Sequence, residues 1–383
     1  MTLQKNKGAV RRFARLLKFA AWLQNLPNRT TPPPFRLLQI GSAFWQSRAL
    51  YVAATLDIAG VLGDDECPVE ALAVRCSAAP DPLFRLLRML AAMGVFTESA
   101  PGRFRNNALS ACLREDNPQC VRAMILMHNS PEMSRPWMET LEEGIRTGQT
   151  PFALQHGDEL FDYMDKHPDF DLLFSNAMDS VEALAGDSFA TDFDWRRFQR
   201  LIDIGGSAGS KSRAILQRHP GLQALVQDRP AIIAKVVATN AQRQPDEVDA
   251  RMAFVGGDAF VDVPAARSAG DVYLLSALLH GFEDAQCEII LRNVVRAIGE
   301  SDAPLVILEM VMAEQGADYS SVSFDMQMFI GTRGRERTLA QWQALLARSG
   351  LALREQVNLQ SFAKMLVCSP LPHGVAAISS TTL

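Results

Sequence analysis

Acidic side chains are missing from the first 56 residues of this 383-residue chain; the first is Asp57. Over the same stretch Lys5, Lys7, Arg11, Arg12, Arg15 and Lys18 cluster early, interleaved with Phe13, Leu16, Leu17, Phe19, Trp22 and Leu23. Such a segment reads as an amphipathic helix, a form used by targeting peptides, membrane-surface helices and arms packed on a partner subunit. No cleavage-like site follows it and its aromatic bulk suits packing, so an arm over residues 1–34 is expected, ending at Pro32-Pro33-Pro34. Cysteine is scarce and scattered: Cys67, Cys76, Cys112, Cys120, Cys287 and Cys368 have no close paired spacing. That argues against a zinc site or a disulfide framework and for reduced thiols in a cytoplasmic protein. No apolar run reaches membrane-spanning length. A net charge of −5 does not favour nucleic acid as a partner. No repeat or low-complexity segment is visible.

What is present is ordinary globular composition, 48% hydrophobic and 21% charged, in a chain long enough for two domains at about one per 150 residues. From Phe35 to Leu62 the apolar residues suggest one long helix stopping near Gly60, followed by a short helix from Pro68 to Arg75. Leu83, Leu86, Leu87, Leu90 and Met93 then recur at helical spacing. Val95-Phe96-Thr97-Glu98 and Arg103-Phe104-Arg105 flank a Pro101-Gly102 turn as a hairpin. Three helices and a hairpin make a winged-helix outline over residues 35–117. Its third helix carries Arg85 and Arg88 but no basic cluster, so a dimerisation platform is the better reading than DNA binding. A helical connector follows over residues 118–185, rich in methionine and aromatic residues. Such a stripe usually forms core, yet methionine also lines adaptable pockets for flat apolar ligands.

From Phe193 onward strands and helices alternate, which predicts a mostly parallel, doubly wound α/β sheet binding ligands at the carboxyl ends of its strands. Asp228, Asp258 and Glu309 sit at three of those ends. The centre of this half is Leu201-Ile202-Asp203-Ile204-Gly205-Gly206-Ser207-Ala208-Gly209-Ser210, a strand running into a glycine-rich turn and then a helix. Glycines there let a ligand approach the backbone, and the following helix N-terminus favours polar or anionic groups. A turn of this kind also occurs as a plain loop. The last residues, 371–383, read as a tail.

With these motifs in order the chain resembles the S-adenosylmethionine-dependent small-molecule O-methyltransferases, the plant caffeic-acid type and its bacterial natural-product relatives. The family's Asp-x-Gly-Gly-Gly-x-Gly is matched by Asp203 to Gly209, with Ser207 for the third glycine. Its Asp-Leu-Pro is matched by Asp228-Arg229-Pro230, and its Gly-Asp-Phe-Phe by Gly257-Asp258-Ala259-Phe260. Its His-Asp-Trp block is matched loosely by His280-Gly281-Phe282. Glu336-Arg337-Thr338 is intact, and Phe174-Ser175-Asn176-Ala177-Met178 stands in the connector.

The resemblance implies a class I, Rossmann-like methyltransferase domain over residues 186–370 and a homodimer joined through the winged-helix domain. It implies S-adenosylmethionine as cofactor and no metal. Gly205, Gly206 and Gly209, with Asp203 beside them, would pass the methionine end of the cofactor. Asp228 would bind both ribose hydroxyls, and Asp258, Ala259 and Phe260 the adenine. Ser276 stands near the cofactor, where plant members carry a lysine. His280 would be the general base, oriented by Glu309 and Glu336. Met127, His128, Phe174, Asn176, Met178, Met328 and Phe329 would surround an aromatic or polyketide-like acceptor. Alternatives are N-methylation of a heteroaromatic ring, a non-methylating hydroxylase or decarboxylase relative, and, from another class, a winged-helix regulator sensing a metabolite.

Overall fold

The structure, a computed structural model, describes residues 2–242 and 244–372. The expected tail therefore lies, beyond residue 372, outside the described residues. Two compact units are present: Met1–Ala21 with Asp187–Leu383, and Trp22–Gly186. The arm expected over 1–34 is thus divided, its first 21 residues belonging with the C-terminal unit. The connector expected over 118–185 shares one unit with the residues before it.

In the unit Trp22–Gly186, the single long helix expected from Phe35 to Leu62 is three helices, Pro33–Gly41, Ala43–Thr55 and Ile58–Leu62. Each break has a local cause. The Ser42 hydroxyl turns back to donate to the Leu38 carbonyl at 2.8 Å, and hydroxyls bonded in this way bend helices. Asp57 takes a left-handed φ of 49°, a conformation that costs a non-glycine residue roughly 1–2 kcal/mol and cannot continue a right-handed helix. Helices Val69–Arg75 and Pro80–Ala92 follow, then the expected hairpin of Thr97–Ala100 and Arg103–Arg105, with Cys67–Pro68 paired on its other side. Leu83, Leu87 and Leu90 fall on one face of their helix and pack with Leu72, Phe96 and Phe104. Arg85 pairs with Asp81 one turn away, and Arg88 lies over the Phe84 ring. Both arginines of the third helix therefore have partners on that helix.

Seven strands of the other unit form one sheet: β1 Arg200–Ile204, β2 Gln223–Asp228, β3 Met252–Gly256, β4 Asp271–Ser276, β5 Leu305–Met312, β6 Leu351–Asn358 and β7 Ala363–Pro370. Their spatial order is β6-β7-β5-β4-β1-β2-β3. Strands β1 to β5 are parallel, whereas β7 runs antiparallel to β5 and β6 antiparallel to β7. A two-residue strand, Arg337–Thr338, also lies parallel to the end of β5. Apolar residues alternate between the sheet faces. Ile202, Ile204, Tyr273, Leu275 and Ile307 meet helices Asp284–Ile298 and Leu339–Arg348, while Leu201, Val272, Leu274 and Val306 meet Phe193, Trp195, Ile215 and Leu216. The chain runs outward from β1 through β2 and β3, then returns to place β4 on the other side of β1. That reversal opens a crevice at the carboxyl ends of β1 and β4, the usual ligand site of such sheets.

The start of the chain is fastened to this sheet unit. Gln4 bridges to Phe193, and the Lys5 N–H donates to the Asp192 carbonyl at 2.7 Å. The Gln4 side chain donates to the Asn358 carbonyl and accepts from the Asn358 N–H, both at 2.8 Å, at the end of β6. The helix Lys7–Gln24 follows, as its amphipathic pattern predicts.

Candidate active site

The glycine turn leaves β1 at the switch point. Gly205 and Gly209 take φ of 71° and 74°, the left-handed region where only glycine is free of strain. A Cβ at Gly206 would stand 2.6 Å from the Asp203 carboxylate, so the turn closes directly over that side chain. Asp203 is itself buried, and its Oδ2 accepts from the Ser212 hydroxyl at 2.6 Å, beneath the turn. Ser207 also takes a left-handed φ, 49°, and its N–H donates to Asp228 Oδ2 at 2.8 Å. The serine that departs from the family's glycine thus ties the turn to the acid ending β2. Asp228 Oδ1 accepts from the Arg229 N–H at 2.7 Å. With these two bonds the carboxylate is held in place with lone pairs to spare for a pair of hydroxyls.

Asp258, Ala259 and Phe260 form the loop after β3. Asp258 Oδ1 caps the loop by accepting from the Phe260 N–H at 2.9 Å. Two buried amides hold the loop from below: Asn293 Nδ2 donates to the Ala259 carbonyl at 2.8 Å, and Gln227 Nε2 to the Asp262 carbonyl at 3.0 Å. Ser276 ends β4, and its buried Oγ has no partner among the described residues; nor has Gln227 Oε1. A glycine-rich turn, a pre-oriented acid and unpaired polar atoms give this crevice groups that could hold a polar cofactor.

Beyond Ser276 the chain makes a single 3₁₀ turn, Leu279–Gly281, carrying His280. Its Nδ1 lies 2.9 Å from Glu336 Oε1 and 3.6 Å from Glu309 Oε2. Both acids are buried, whereas the His280 side chain keeps 24% of its surface exposed. Glu309, on β5, accepts from the N–H groups of Leu278 and Leu279 at 3.0 Å each through Oε1. Burial opposes charge on His280, but Glu309 and Glu336 together outweigh it and push its pKa up to about 9. Burial pushes the Glu309 carboxyl up as well. One ligand atom from each of these three residues lies within 4.8 Å of the others, close enough for a metal ion. The short contact to Glu336, however, uses Nδ1–H as a donor, which leaves Nε2 to exchange a proton. Such an arrangement can exchange a proton at Nε2.

The expected acceptor residues fall in both units. Met328 and Phe329 are half-buried on the helix Tyr319–Gly331, whose Asp325 accepts from the Glu336 N–H at 2.8 Å. In the other unit Met127 is core, packed with Met133, Phe152 and Phe170, and Phe174 lies at the edge of that cluster. His128, Asn176 and Met178 are exposed on the helices Arg122–Asn129 and Pro168–Ala185. The sequence reading assigned no role to Arg337, Gly334, Gln227 or Asn293. Arg337 stood inside a quoted motif, but its bonds reach residues more than 50 positions away.

Comparison with known proteins gives two family matches, an O-methyltransferase domain over residues 137–352 and an O-methyltransferase dimerisation domain over residues 38–116. A phenazine O-methyltransferase of Lysobacter antibioticus is 34% identical over 88% of this chain and 96% of its own. The solved structure of the mitomycin 7-O-methyltransferase MmcR matches with a TM-score of 0.80 at 28% identity, over 88% of this chain and 98% of that one. An O-methyltransferase from neocarzinostatin biosynthesis, NcsB1, solved with S-adenosylmethionine and 2-hydroxy-5-methyl naphthoic acid, matches with a TM-score of 0.72 at 26% identity, over 85% of this chain and 96% of that one.

Proposed function

This chain belongs to the S-adenosylmethionine-dependent small-molecule O-methyltransferases, and from that premise we propose that it methylates a hydroxyl of a flat aromatic or polyketide-like metabolite, with His280 as general base. The observation that carries the reading is the His280 imidazole, one edge open, its Nδ1 2.9 Å from the buried Glu336 and 3.6 Å from the buried Glu309. S-adenosylmethionine supplies a methyl group on a positively charged sulfonium. The chain's own residues have three tasks: holding that cofactor at Gly205–Gly209, Asp228 and Asp258–Phe260, aligning the acceptor oxygen for an in-line displacement, and removing its proton. A phenol has a pKa of about 10 and an ordinary imidazole about 6.5, so full proton transfer costs roughly 5 kcal/mol. Raised to about 9, His280 is the stronger base and narrows that step. Within the unit that carries His280, Met328 and Phe329 on the helix Tyr319–Gly331 are the residues we assign to the acceptor.

The assembly is a homodimer joined through the dimerisation domain matched over residues 38–116. Exposed Leu38, Ile40, Phe44, Trp45 and Val52 supply apolar surface for a partner copy. No helix among the described residues is long and apolar enough to cross a membrane. Cytoplasmic residence is in keeping with six cysteines that are all free.

Incubation with methyl-labelled S-adenosylmethionine and a panel of phenols and heteroaromatic rings tests the reaction. Label should appear on a phenolic oxygen; binding of the cofactor without label on any acceptor would overturn the reading. Titration gives a second expected result. With its pKa near 9, His280 holds a proton at neutral pH before the cofactor binds. A second positive charge in the same site disfavours that proton. Calorimetry in buffers of different ionisation enthalpy at pH 8 should therefore show proton release on binding S-adenosylmethionine. S-adenosylhomocysteine, which lacks the sulfonium charge, should release almost none, and equal release by both would refute the assigned charge.

A further inference from the structure

We propose that Arg337 is the positioning residue of the base, its guanidinium clamping the backbone on both sides of His280. The proposal rests on His280 being the base.

Arg337 is 1% exposed. Its Nη1 donates to the Leu279 carbonyl at 3.0 Å, and its Nη2 to the Phe282 carbonyl at 3.0 Å. Nε and Nη2 reach Asp284 Oδ1 at 3.0 and 2.9 Å, and the guanidinium lies 5.2 Å from the centre of the Trp342 ring. The two carbonyls bracket His280, one residue before it and two after. The turn Leu279–Gly281 is a single 3₁₀ turn, too short to be stable by its own hydrogen bonds. It is gripped instead from both polar ends. Glu309 takes the N–H groups of Leu278 and Leu279, and Arg337 takes the carbonyls on the other side.

A buried guanidinium needs a counter-charge and satisfied donors, and Asp284 supplies the counter-charge. Two of the remaining donors go to the main chain of one turn, where the planar fork of arginine spans two acceptors that a lysine's single nitrogen cannot hold in the same geometry. The adjacent residue, Glu336, is the hydrogen-bond partner of the imidazole itself. Consecutive residues thus fix the ring and the backbone that carries it, so displacement of either moves the other. Arg337 also carries a charge: it opposes protonation of His280, against the pull of Glu309 and Glu336.

Two variants separate grip from charge. Arg337→Lys keeps the charge and loses the fork: kcat should fall by about 100-fold, the loss expected for a misplacement near 1 Å, with cofactor affinity held and the acid limb of the pH–rate profile unmoved. Arg337→Met loses both: kcat should fall at least as far, and the acid limb should move to higher pH as His280 becomes more basic. In a His280→Ala background neither substitution should lower the residual rate further, because a residue acting through His280 has nothing left to position. Losses that multiply in that background, or a Lys variant with wild-type kcat, overturn the proposal. If Arg337→Met does not fold, Arg337→Lys and its double variant decide alone. Should His280→Ala retain the full rate, the general-base reading fails; should it lose the rate while Arg337→Lys keeps it, only the present proposal fails.

Discussion

His280→Ala is expected to lower kcat toward a phenolic acceptor by about 10²–10⁴-fold, the range that a positioned general base supplies. The expected size follows from the environment of the ring. Its Nδ1 is committed to Glu336 at 2.9 Å with Glu309 at 3.6 Å, so alanine removes the proposed base and leaves two buried carboxylates without their shared counter-charge. None of the bonds that shape Gly205–Gly209, Asp228 or the Asp258–Phe260 loop involves His280. S-adenosylmethionine affinity should therefore not fall, and below about pH 9 it should rise because binding no longer has to expel the His280 proton, so a lost rate marks an interaction made in the transition state rather than in binding. Equilibrium dialysis and single-turnover rates measured on the same preparation check both halves. An unaltered rate removes the assignment. A lost rate together with lost cofactor binding would assign His280 to the cofactor pocket instead.

The second large effect is expected at Gly334. A Cβ there would stand 1.8 Å from the His280 carbonyl oxygen and 2.6 Å from the carbonyl carbon of Gly281. Both are backbone atoms of the turn that carries His280, so no flexible side-chain end can swing away. The contrast is Gly209, where an added Cβ would meet Met252 Cε at 2.7 Å, the movable tip of a methionine. Gly334→Ala must therefore push the segment leading to Glu336 away from the His280 turn. Overpacking of this kind costs about 1–3 kcal/mol of stability, and a shift near 1 Å costs about 100-fold in rate. A thermal melt and kcat read the two effects separately. Wild-type kcat in Gly334→Ala would mean that the close approach has no bearing on the chemistry.

The sequence was legible wherever one element's own pattern decides its form. Alternating apolar runs placed β1 to β5, and the glycines of Gly205–Gly209 announced the turn because side chains cannot follow its backbone. Asp228 ends β2 and Asp258 follows β3 closely, as their positions after apolar runs suggested; Glu309, expected at a strand end too, lies inside β5, which runs on to Met312. The final hairpin was missed for a physical reason: β6 is an edge strand, and Arg354, Glu355, Gln356 and Asn358 interrupt its apolar residues. The break at Asp57 depends on a left-handed backbone that a non-glycine residue does not advertise. The clamp at Arg337 depends on carbonyls, which have no sequence signature at all. Ser207 was the reverse case. It departs from the family's glycine, yet its N–H is one of the two bonds that hold Asp228.

The fastening of Gln4 to Asn358 bears on solubility. Strand β6 is the outer strand of the sheet, and an outer strand offers its unpaired main-chain groups to any other chain that can add to it. The reciprocal pair of bonds from the Gln4 side chain occupies both main-chain groups of Asn358, and the Leu3 N–H holds the Glu355 side chain at 2.9 Å. The first few residues thus act as a stopper at the end of an edge that would otherwise be open to strand addition. Trimming them, or crowding them with a fused tag, would leave His280 and its two acids untouched while giving the protein a route to aggregation.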